Sequence, residues 1–464
     1  MPEDQIRVAV VGAGPAGFYA TDKLLRAGGF EVELFDRLPT PWGLVRAGVA
    51  PDHPKIKSVT RVFEKTARLE GFRFHGNVEV GADVTHAELL DHHHAVIYTY
   101  GAALDRRLGI PGEDLPGSVP ATDFVAWYNG HPDGVDHEFD LRGPRAVVIG
   151  NGNVALDVAR MLMLAREELA VTDTADAAIE AISQSGIEEV VVLGRRGPAQ
   201  AAYTTPELRE LGEMHHADVV VDPADVKLDP ISTAWLEGHE SDRSARDNVD
   251  IVCGYSERAP HHRRRIVLRF LCSPVEILGA DRVEGVRVVR NELIADEHGN
   301  LRAHHTTVEE TIECSLVLRS VGYRGVGIEG LPFDERTGTI VNSAGRVLSE
   351  PGGAPLPGVY TAGWIKRGPS GVIGTNKKCA HETVDQLLED REGGLLPAPP
   401  HGAAELDALL AERGATLVDY AACERIDEHE RAEGEAQGRP RVKLTRREEL
   451  LDRALGQRSG GGAA

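Results

Sequence analysis

The sequence predicts an α/β fold, chiefly because two similar segments occur in one chain. "VAVVGAGPAG" at 8–17 and "VVIGNGNVAL" at 147–156 each read as an apolar strand, a glycine-rich turn and the start of a helix. The chain has 464 residues, too many for one ordinary hydrophobic core. A strand that enters a helix through such a turn opens a dinucleotide site. We therefore predict two Rossmann-like units, each doubly wound in three layers.

Composition and charge exclude several classes of protein. No apolar run approaches the roughly 18 residues of a membrane helix. The N-terminus, "MPEDQIRVAVV", is acidic where a signal peptide is basic, so we expect a soluble, cytoplasmic protein. The net charge of −22 opposes binding to nucleic acid and to anionic membranes. An acidic partner would need a local basic patch, for which "KIK" at 55–57, "HHRRR" at 261–265 and "RPRVK" at 439–443 are candidates.

Cysteines and histidines indicate no metal or redox centre within the chain. The five cysteines are scattered, without close pairs or a CxxC motif. This spacing argues against a disulfide framework, a zinc site, an in-chain iron–sulfur cluster and a redox-active disulfide. Tandem histidines, such as those of "DHHHAV" at 91–96, lack the i,i+4 spacing of helical metal ligands. We interpret them as residues of surface loops.

The first glycine-rich segment predicts a dinucleotide site. Gly12, Gly14 and Gly17 form a GxGxxG pattern, which provides a tight turn, close approach of a pyrophosphate and helix-on-strand packing. The helix N-terminus would face the phosphates. The next strand ends in Asp36, an acid that can accept hydrogen bonds from an adenosine ribose and would repel a 2′-phosphate. The motif does not decide between FAD and NAD, but the Pro- and Gly-rich stretch at 39–59 suits a loop around a large ligand.

The second segment has the opposite electrostatic signature. Gly150, Gly152 and Ala155 repeat the turn, and the following strand is succeeded by Arg195 and Arg196, where the first unit has its acid. Arginines there complement a dianionic 2′-phosphate, so this site should prefer NADP(H) to NAD(H). Opposite signatures imply two different dinucleotides. The pairing that makes chemical sense is FAD in the first unit and NADPH in the second, with hydride passing between their rings.

A third segment, near the C-terminus, would complete the first unit. "GPSGVIGTNKKCAHETVDQLL" at 368–388 reads as a glycine-rich loop that opens an amphipathic helix. Gly368, Gly371 and Gly374 would let the backbone approach a flat ring closely. The positive helix N-terminus would stabilise negative charge on a reduced flavin.

These segments predict a discontinuous FAD domain, residues 1–104 and 325–464, with an NADP domain inserted at 105–324. Pro/Gly-rich stretches at 108–119 and 320–333 would mark the crossings. The strand-like runs "RIVLRFLCSPVEIL" and "VEGVRVVRNELIA" predict an antiparallel addition to the NADP domain. Residues 458–464 should be disordered.

Several phrases together resemble the adrenodoxin-reductase type of ferredoxin–NADP reductase, especially its bacterial members. They are "APDHPKIKSV", "GNGNVALDVAR", "GRRGPAQAAYTTPELREL", "SVGYRG" and "GWIKRGPSGVIGTNKK". The similarity runs from about residue 6 to "GRPRVKL" at 438–444, nearly the whole chain. It implies an NADPH:ferredoxin reductase in which FAD takes a hydride from NADPH and releases electrons singly to a separate iron–sulfur protein.

The resemblance also implies site residues, carried over position by position. Beside the three glycines of the first turn, FAD would be held by Ala16, Asp36, Leu44, Val80, Trp364, Gly371, Val372 and Ile373. NADP would be held by Asn151, Gly152, Asn153, Val154, Arg195, Arg196 and Glu207, with Gly371 near the nicotinamide. His53 and Glu210 match positions near the flavin, where they would tune the reaction. In one departure, Asp36 stands where many relatives have Glu, although the shorter acid should still reach the ribose.

The partner and two rival functions follow from the same reading. Lys55 and Lys57 are better candidates for docking an acidic ferredoxin than "HHRRR", because they directly follow the flavin-side loop that contains His53, whereas "HHRRR" lies in the other domain. One rival function is the NADPH-oxidising electron-input subunit of a larger enzyme such as glutamate synthase, although the cysteine-rich segment usual in those subunits is missing. The other is a non-catalytic flavin- or NADP-binding sensor, which would bind NADPH without turning it over.

Overall fold

The chain forms two compact units in a computed structural model that describes residues 5–238, 243–297 and 300–456. Unit 1 comprises the described residues up to Leu104, residues 129–132 and the described residues from Gly322 onward. Unit 2 comprises residues 105–128 and the described residues of 133–321. The segment 458–464, which we expected to be disordered, lies outside the described residues. Each unit is built on a largely parallel sheet, so the predicted α/β class is confirmed.

The N-terminal part of unit 1 alternates strands and helices. Its elements are β1 (Ile6–Val11), α1 (Pro15–Ala27), β2 (Phe30–Asp36), α2 (Leu44–Ala47), α3 (Pro54–Lys57), α4 (Thr60–Thr66), β3 (Phe72–Gly76), α5 (His86–His92), β4 (Ala95–Tyr98) and β5 (Leu104–Asp105). Helix α1 ends at a pair of glycines, Gly28 and Gly29, which both have positive φ.

The middle of the chain supplies a second alternating series and an antiparallel hairpin region. Its elements are β6 (Ser118–Pro120), α6 (Ala121–Tyr128), β7 (Arg145–Ile149), α7 (Asn153–Met163), α8 (Arg166–Leu169), α9 (Asp176–Ser183), β8 (Glu189–Leu193), α10 (Thr205–Leu211), β9 (Ala217–Val221), α11 (Pro230–Gly238), α12 (Arg243–Ser256), β10 (Arg264–Arg269), β11 (Cys272–Leu278), β12 (Gly285–Ala295), β13 (Leu301–Glu313) and β14 (Leu316–Arg319).

The C-terminal part returns to unit 1. Its elements are β15 (Tyr323–Arg324), β16 (Phe333–Asp334), β17 (Thr339–Ile340), β18 (Asn342–Ser343), β19 (Arg346–Leu348), β20 (Pro355–Thr361), α13 (Trp364–Arg367), α14 (Ile373–Glu392), α15 (Ala403–Glu412), α16 (Tyr420–Ala436) and α17 (Arg447–Ala454). Across the described parts of the chain, no helix has both the length and the apolar character that a bilayer crossing requires.

The sheet of unit 1 is parallel around its glycine-rich turn. Its strand order is β18-β19-β20-β4-β1-β2-β3; β19 pairs with β18 and with β20 in antiparallel fashion, and the other pairs are parallel. The order reverses at β1, which pairs with β2 on one side and with β4 on the other. In open α/β sheets, ligands bind beyond the carboxyl ends of strands at such a reversal. Val8 and Val10 pack on one face and Ala9 and Val11 on the other, which explains the unbroken apolar run of β1.

The sheet of unit 2 is entirely parallel, in the order β6-β14-β7-β8-β10-β9. Ala146 and Val148 of β7 face a core that includes side chains of α6, α7, α9, α10 and α12. Val147 and Ile149 face a core shared with the antiparallel sheet β11-β12-β13. Unit 2 therefore has three layers, with helices on one face and an antiparallel sheet on the other.

Two sequence predictions about this architecture were wrong in part. The run "RIVLRF" is not part of the antiparallel addition, because β10 pairs in parallel with β8 and β9; only the chain after Leu271 enters the antiparallel sheet. His92 and His93 are buried rather than in a surface loop, because His93 lies near the carboxylate of Glu33 inside unit 1. The tandem histidines at 215–216, 261–262 and 304–305 are exposed, although the last pair lies in strand β13 rather than in a loop.

Candidate dinucleotide sites

In the first glycine-rich turn, protein atoms pack closely against Gly12 and Gly17, whereas the space beside Gly14 is open. Gly12 has a φ of +104°, and a Cβ atom there would lie 2.6 Å from Cα of Tyr100. A Cβ atom on Gly17 would collide with the carbonyl oxygen of Gly12. Gly14 has no protein atom within 4 Å of the place its Cβ would occupy. This space lies where a pyrophosphate would approach the turn.

The start of α1 is suited to binding phosphate. Gly14 is its N-cap residue and has no side chain to cap the helix, and Pro15 opens the first turn. The free N–H groups and the helix dipole make such a terminus a favourable place for negative charge. Ala16, in the same turn, is buried.

Asp36 stands at the end of β2 and forms a hydrogen bond with the glycine-rich turn. Its Oδ2 accepts a hydrogen bond from the N–H of Ala13 at 2.8 Å, and its Oδ1 accepts one from the N–H of Leu38 at 2.9 Å. Burial raises the pKa of the Asp36 carboxyl, although these two N–H groups oppose the shift. An acid so close to the turn is compatible with a ribose and unfavourable for a 2′-phosphate.

A loop after β2 folds back onto the turn. The N–H of Trp42 donates to the carbonyl of Ala13 at 2.8 Å, and Trp42 has a φ of +85°, which is uncommon for a residue with a side chain. A Cβ atom on Gly43 would lie 3.0 Å from Cα of Gly14. The loop therefore brings Leu44, the next residue, close to the open side of the turn.

The segment after β20 reaches the same turn. A Cβ atom on Gly363 would lie 2.8 Å from Cβ of Ala16, so Trp364 follows directly on a residue that touches α1. The indole N–H groups of Trp42 and Trp364 are buried and find no hydrogen-bond partner among the described residues. Buried donors are rarely left unpaired, so these two fit a site that a ligand with acceptor atoms completes.

The loop before α14 offers open backbone to a ligand. Gly371 has a φ of +79°, and Gly374 has no atom within 4 Å of its Cβ position. Val372, the N-cap residue of α14, is 57% exposed, which is unusual for valine. Ile373 begins the helix. Such an exposed apolar loop at a helix N-terminus fits the flat ring of a flavin. The remaining residue expected at FAD, Val80, packs against the core beside β1 and β4.

The second glycine-rich turn repeats the packing of the first. Gly150 has a φ of +120°, and a Cβ atom there would collide with the carbonyl oxygen of Ser320. The atom nearest to a Cβ on Gly152 is Cβ of Ala202, at 4.0 Å, so the middle glycine again faces open space. Ala155 is buried in the position of the third glycine. Gly152 caps α7 without a side chain, as Gly14 caps α1.

Neighbouring side chains join this turn to α10. Oδ1 of Asn153 accepts a hydrogen bond from the N–H of Thr204 at 2.7 Å. Nη1 of Arg160 lies 3.6 Å from Oε2 of Glu210. The structure therefore brings the start of α7 near α10, which carries both Glu207 and Glu210. Asn151 lies against Gly194, and Val154 packs on the helical core of unit 2.

The two arginines after β8 carry uncompensated positive charge. Arg195 is exposed and Arg196 is half-buried, and neither has a carboxylate within ion-pair distance among the described residues. Burial and the adjacent charge of Arg195 lower the pKa of Arg196. Two like charges without a counter-ion beside a phosphate-type turn fit a dianionic ligand such as a 2′-phosphate.

The remaining predicted residues belong to unit 1, and the ligand contacts expected of every site residue stay predictions. His53 is buried at the N-cap of α3, Lys55 is exposed and Lys57 is half-buried on that helix. Sequence reasoning missed Trp42, Gly363, Leu271 and Asn291. Their roles depend on backbone angles and long-range contacts that no motif records, and Asn291 stands between Arg290 and Glu292, where a further polar residue gives no signal.

Comparisons with known proteins agree with this geometry. Residues 6–192 match the pyridine nucleotide-disulphide oxidoreductase family. The chain is 50% identical over 454 residues to the NADPH-ferredoxin reductase FprA of Mycobacterium leprae, with 96% of this chain and 97% of that protein covered. It is 40% identical over 457 residues to the mitochondrial NADPH:adrenodoxin oxidoreductase of Arabidopsis thaliana, with 96% and 95% covered.

A solved structure extends the similarity to three dimensions. The structure of Mycobacterium tuberculosis FprA in complex with NADPH matches with a TM-score of 0.92 at 49% identity, and the match covers 97% of this chain and 100% of that one. Both the FprA reductases and the plant adrenodoxin oxidoreductase are matched over nearly their full length. The chain therefore belongs to the adrenodoxin-reductase type of the ferredoxin–NADP reductase family.

Proposed function

We propose that this protein is a flavoprotein that oxidises NADPH and delivers the electrons, through FAD, to a ferredoxin-type iron–sulfur protein. One observation carries the proposal beyond family membership: the two glycine-rich turns have opposite electrostatic surroundings. Asp36 stands at the first turn, and Arg195 and Arg196, which have no carboxylate partner among the described residues, follow the strand beside the second. When bound, FAD converts the two-electron chemistry of a hydride donor into the one-electron chemistry of an iron–sulfur acceptor.

In this proposal, unit 1 holds FAD. The open face of Gly14 and the N-terminus of α1 accept the pyrophosphate, and Asp36 accepts a ribose hydroxyl. The buried indole N–H groups of Trp42 and Trp364 face a ligand that offers them acceptors. The start of α14 supports negative charge on the reduced ring, because a helix N-terminus carries positive partial charge.

Unit 2 holds NADP(H). The N-terminus of α7 accepts the pyrophosphate at Gly152, and Arg195 and Arg196 bind the 2′-phosphate. The acid of unit 1 repels a 2′-phosphate, whereas the arginines of unit 2 attract one, so specificity arises from repulsion in one site and attraction in the other.

His53 and Glu210 tune the reaction rather than transfer a proton. Hydride transfer between two rings needs no general acid or base, so a titrating side chain is not required in that step. The Glu210 carboxylate lies 3.6 Å from the Arg160 guanidinium, which holds it within a charged network of unit 2. His53 is buried at the start of α3. We expect both to alter the rate of flavin reduction while FAD stays bound.

The electron acceptor docks on a basic surface around α3. Lys55 and Lys57 stand there in a chain whose net charge is −22, so an acidic ferredoxin would be attracted locally and repelled elsewhere.

We place the protein in the cytoplasm. All five cysteines lie among the described residues and none of them forms a disulfide there, which suits a compartment that keeps thiols reduced.

Cofactor analysis and turnover test the function together. The purified protein should release one FAD per chain on denaturation, identified by chromatography, and should oxidise NADPH steadily with ferricyanide. With ferredoxins from the same source it should also support NADPH-dependent reduction of cytochrome c. Binding of NADPH without turnover would favour the sensor. Turnover with ferricyanide but with no ferredoxin would favour the electron-input subunit, and FMN or no flavin would refute the assignment of unit 1.

A further inference from the structure

The turn that carries the two arginines is held by its carbonyl groups. The carbonyl of Gly194 accepts a hydrogen bond from the N–H of Cys272 at 3.0 Å, and that of Arg196 accepts one from the N–H of Leu271 at 3.1 Å. Between them, the carbonyl of Arg195 accepts a hydrogen bond from Nδ2 of Asn291 at 2.8 Å. Three consecutive carbonyls are thus fixed, and the middle one is fixed by a side chain.

Asn291 is also tied to the segment that supplies the other two donors. Its backbone N–H donates to the carbonyl of Leu271 at 2.7 Å. Leu271 has a φ of +54°, in the left-handed region that residues with a side chain seldom adopt. This conformation lets the successive N–H groups of Leu271 and Cys272 both reach the turn. Asn291 therefore holds the arginine turn directly and holds the segment that supports it.

The environment of Asn291 indicates that the two N–H donors of its side-chain amide explain why an asparagine stands here. The residue is 3% exposed on β12, and Val289 and Leu293, two positions away on either side, are buried and apolar. Its second amide hydrogen goes to Oγ of Ser273 at 2.8 Å, whereas its Oδ1 finds no partner among the described residues. A buried amide oxygen that accepts no hydrogen bond costs free energy, so an apolar side chain would be more favourable if this position served packing alone.

The arginines need such support. Arg195 and Arg196 are adjacent like charges without a carboxylate partner in the described chain, so they repel each other when no ligand is present. A loose turn would let their side chains separate into solvent. A fixed backbone keeps both side chains within reach of one dianion. Because the turn is already ordered before the ligand binds, binding does not have to offset the entropy of ordering it.

We propose that Asn291 is a positioning residue for coenzyme selection, whose side-chain amide fixes the Arg195 carbonyl so that Arg195 and Arg196 are pre-organised for a 2′-phosphate. The inference rests on the proposed function, in which unit 2 binds NADP(H).

Binding of two nucleotides that differ only in the 2′-phosphate tests this role. Adenosine 2′,5′-bisphosphate and 5′-AMP would be titrated into the flavin-loaded protein by calorimetry. Asn291→Leu keeps the number and branching of the side-chain heavy atoms, removes both donors and removes the unpaired acceptor. It should weaken the bisphosphate about tenfold and 5′-AMP less than about twofold. The ratio of kcat/KM for NADPH over NADH should fall by a similar factor.

Ser273→Ala is the matched control. It removes the other hydrogen-bond partner of Asn291 but leaves the bond to the Arg195 carbonyl, so both affinities should stay at wild-type values. If Asn291→Leu does not fold, Asn291→Ala provides the same comparison, since it also removes both donors.

The outcomes separate this inference from the function on which it rests. A wild-type protein that binds the two nucleotides equally would refute the NADP assignment of unit 2. A wild type that prefers the bisphosphate, with an Asn291 variant that keeps the preference, would refute the positioning role. A variant that loses affinity for both nucleotides to the same extent would show that Asn291 is a general structural residue.

Discussion

At the scale of single residues, a charge reversal separates two otherwise similar turns. Asp36 ends the strand that follows the first turn, and Arg195 and Arg196 come just after the corresponding strand of unit 2. Both positions lie where a nucleotide ribose is expected in this type of fold. Because the arginines have no carboxylate partner among the described residues, binding a 2′-phosphate there does not require an internal ion pair to break.

Replacing both arginines should remove the preference for NADPH. Each charge-assisted contact contributes about 1.5–3 kcal/mol, so Arg195→Ala/Arg196→Ala should lower kcat/KM for NADPH by about two to four orders of magnitude. The value for NADH should hardly change, since NADH lacks the 2′-phosphate. Steady-state kinetics with ferricyanide would measure both. Arg336→Ala, an exposed arginine of unit 1, is the control, and equal losses with both coenzymes would show that the pair is structural.

A buried carboxylate in unit 1 should make stability depend on acid. Oε1 of Glu33 accepts a hydrogen bond from Nη1 of Arg73 at 2.9 Å, and its Oε2 lies 3.2 Å from Nε2 of His75 and 3.4 Å from Nε2 of His93. Burial alone would raise the pKa of Glu33, but the two imidazoles outweigh it and lower the pKa below its ordinary value. Glutamate ionisation therefore stabilises the fold above the unfolded-state pKa of about 4.3, and this stabilisation is lost as pH falls below it.

Glu33→Gln should flatten that dependence. The variant should lose about 1–3 kcal/mol of unfolding free energy at pH 7, and its stability should fall less than that of the wild type between about pH 5 and pH 3. Urea unfolding at a series of pH values would show this. Glu31→Gln, on the same strand, should keep the wild-type curve. Parallel curves for Glu33→Gln and the wild type would mean that Glu33 does not carry the effect.

Some of these residues were predictable from the sequence, and others were not. The positions of the glycines, Asp36 and the arginine pair were predictable, because they follow from spacing relative to a strand and a turn, while their ligand contacts stay predictions. His93 was misread, because its burial depends on Glu33 and so on a strand far away in the sequence. Asn291 and Leu271 were missed for the same reason: a hydrogen bond to a distant carbonyl leaves no local pattern.

At the scale of elements, each glycine-rich turn combines a closed packing contact with an open ligand face. Gly17 lets α1 lie against the turn, whereas Gly14 faces space that the protein leaves empty of its own atoms. The two glycines should therefore respond differently to the same added methyl group. Gly14 has a φ of −82°, which alanine adopts without strain.

Gly14→Ala should give a folded protein that binds FAD poorly. The flavin-free variant should unfold at nearly the wild-type temperature, while its affinity for FAD falls by about tenfold or more, because the new methyl group occupies the approach to the turn. Gly17→Ala should instead destabilise the flavin-free protein by about 1–3 kcal/mol, because its methyl group overlaps the Gly12 carbonyl. Thermal unfolding and FAD titration would distinguish the two.

The control for this pair is Gly254→Ala. Gly254 lies inside α12 with no atom within 4 Å of its Cβ position, so alanine there should be neutral or slightly stabilising. If Gly14→Ala binds FAD as tightly as the wild type, the open face of the turn is not the phosphate site.

The elements themselves were largely predictable, and the exception is informative. Strand, turn and helix at both sites, and the glycine loop before α14, follow from apolar periodicity and glycine spacing. The strand partners of β10 were not predictable, because a short apolar run such as residues 266–268 suits a parallel or an antiparallel sheet equally. What separates β10 from β11 is the left-handed turn at Leu271, and leucine gives no warning of it.

At the scale of the whole molecule, the acidic charge should confine the docking of an acidic partner. Ferredoxin-dependent cytochrome c reduction should fall as salt rises, because steering by charge is screened over about 8 Å at physiological ionic strength. Ferricyanide reduction should change much less. Lys55→Glu/Lys57→Glu should raise the KM for ferredoxin several-fold and leave the KM for NADPH nearly unchanged.

A charge-matched variant makes this prediction specific. Lys227→Glu/Arg282→Glu alters the net charge by the same amount at two exposed residues of unit 2, and it should leave the KM for ferredoxin close to the wild-type value. If both double variants behave alike, overall charge rather than α3 governs docking. If neither has an effect, Arg263 and Arg265 become the next residues to examine.

The discontinuous course of the chain has a consequence for synthesis on the ribosome. β4 pairs with β20, and the carbonyl of Asn129 accepts a hydrogen bond from Nζ of Lys443 at 3.0 Å, so unit 1 needs residues from the last quarter of the chain. Unit 2 is complete once Val321 has emerged. We expect unit 2 to fold first, while the early strands of unit 1 wait with an unpaired edge that chaperones must shield. If unit 2 binds NADPH and unit 1 binds FAD, as proposed, a nascent chain would thus gain its NADPH-binding unit early and capture FAD only when translation is almost finished.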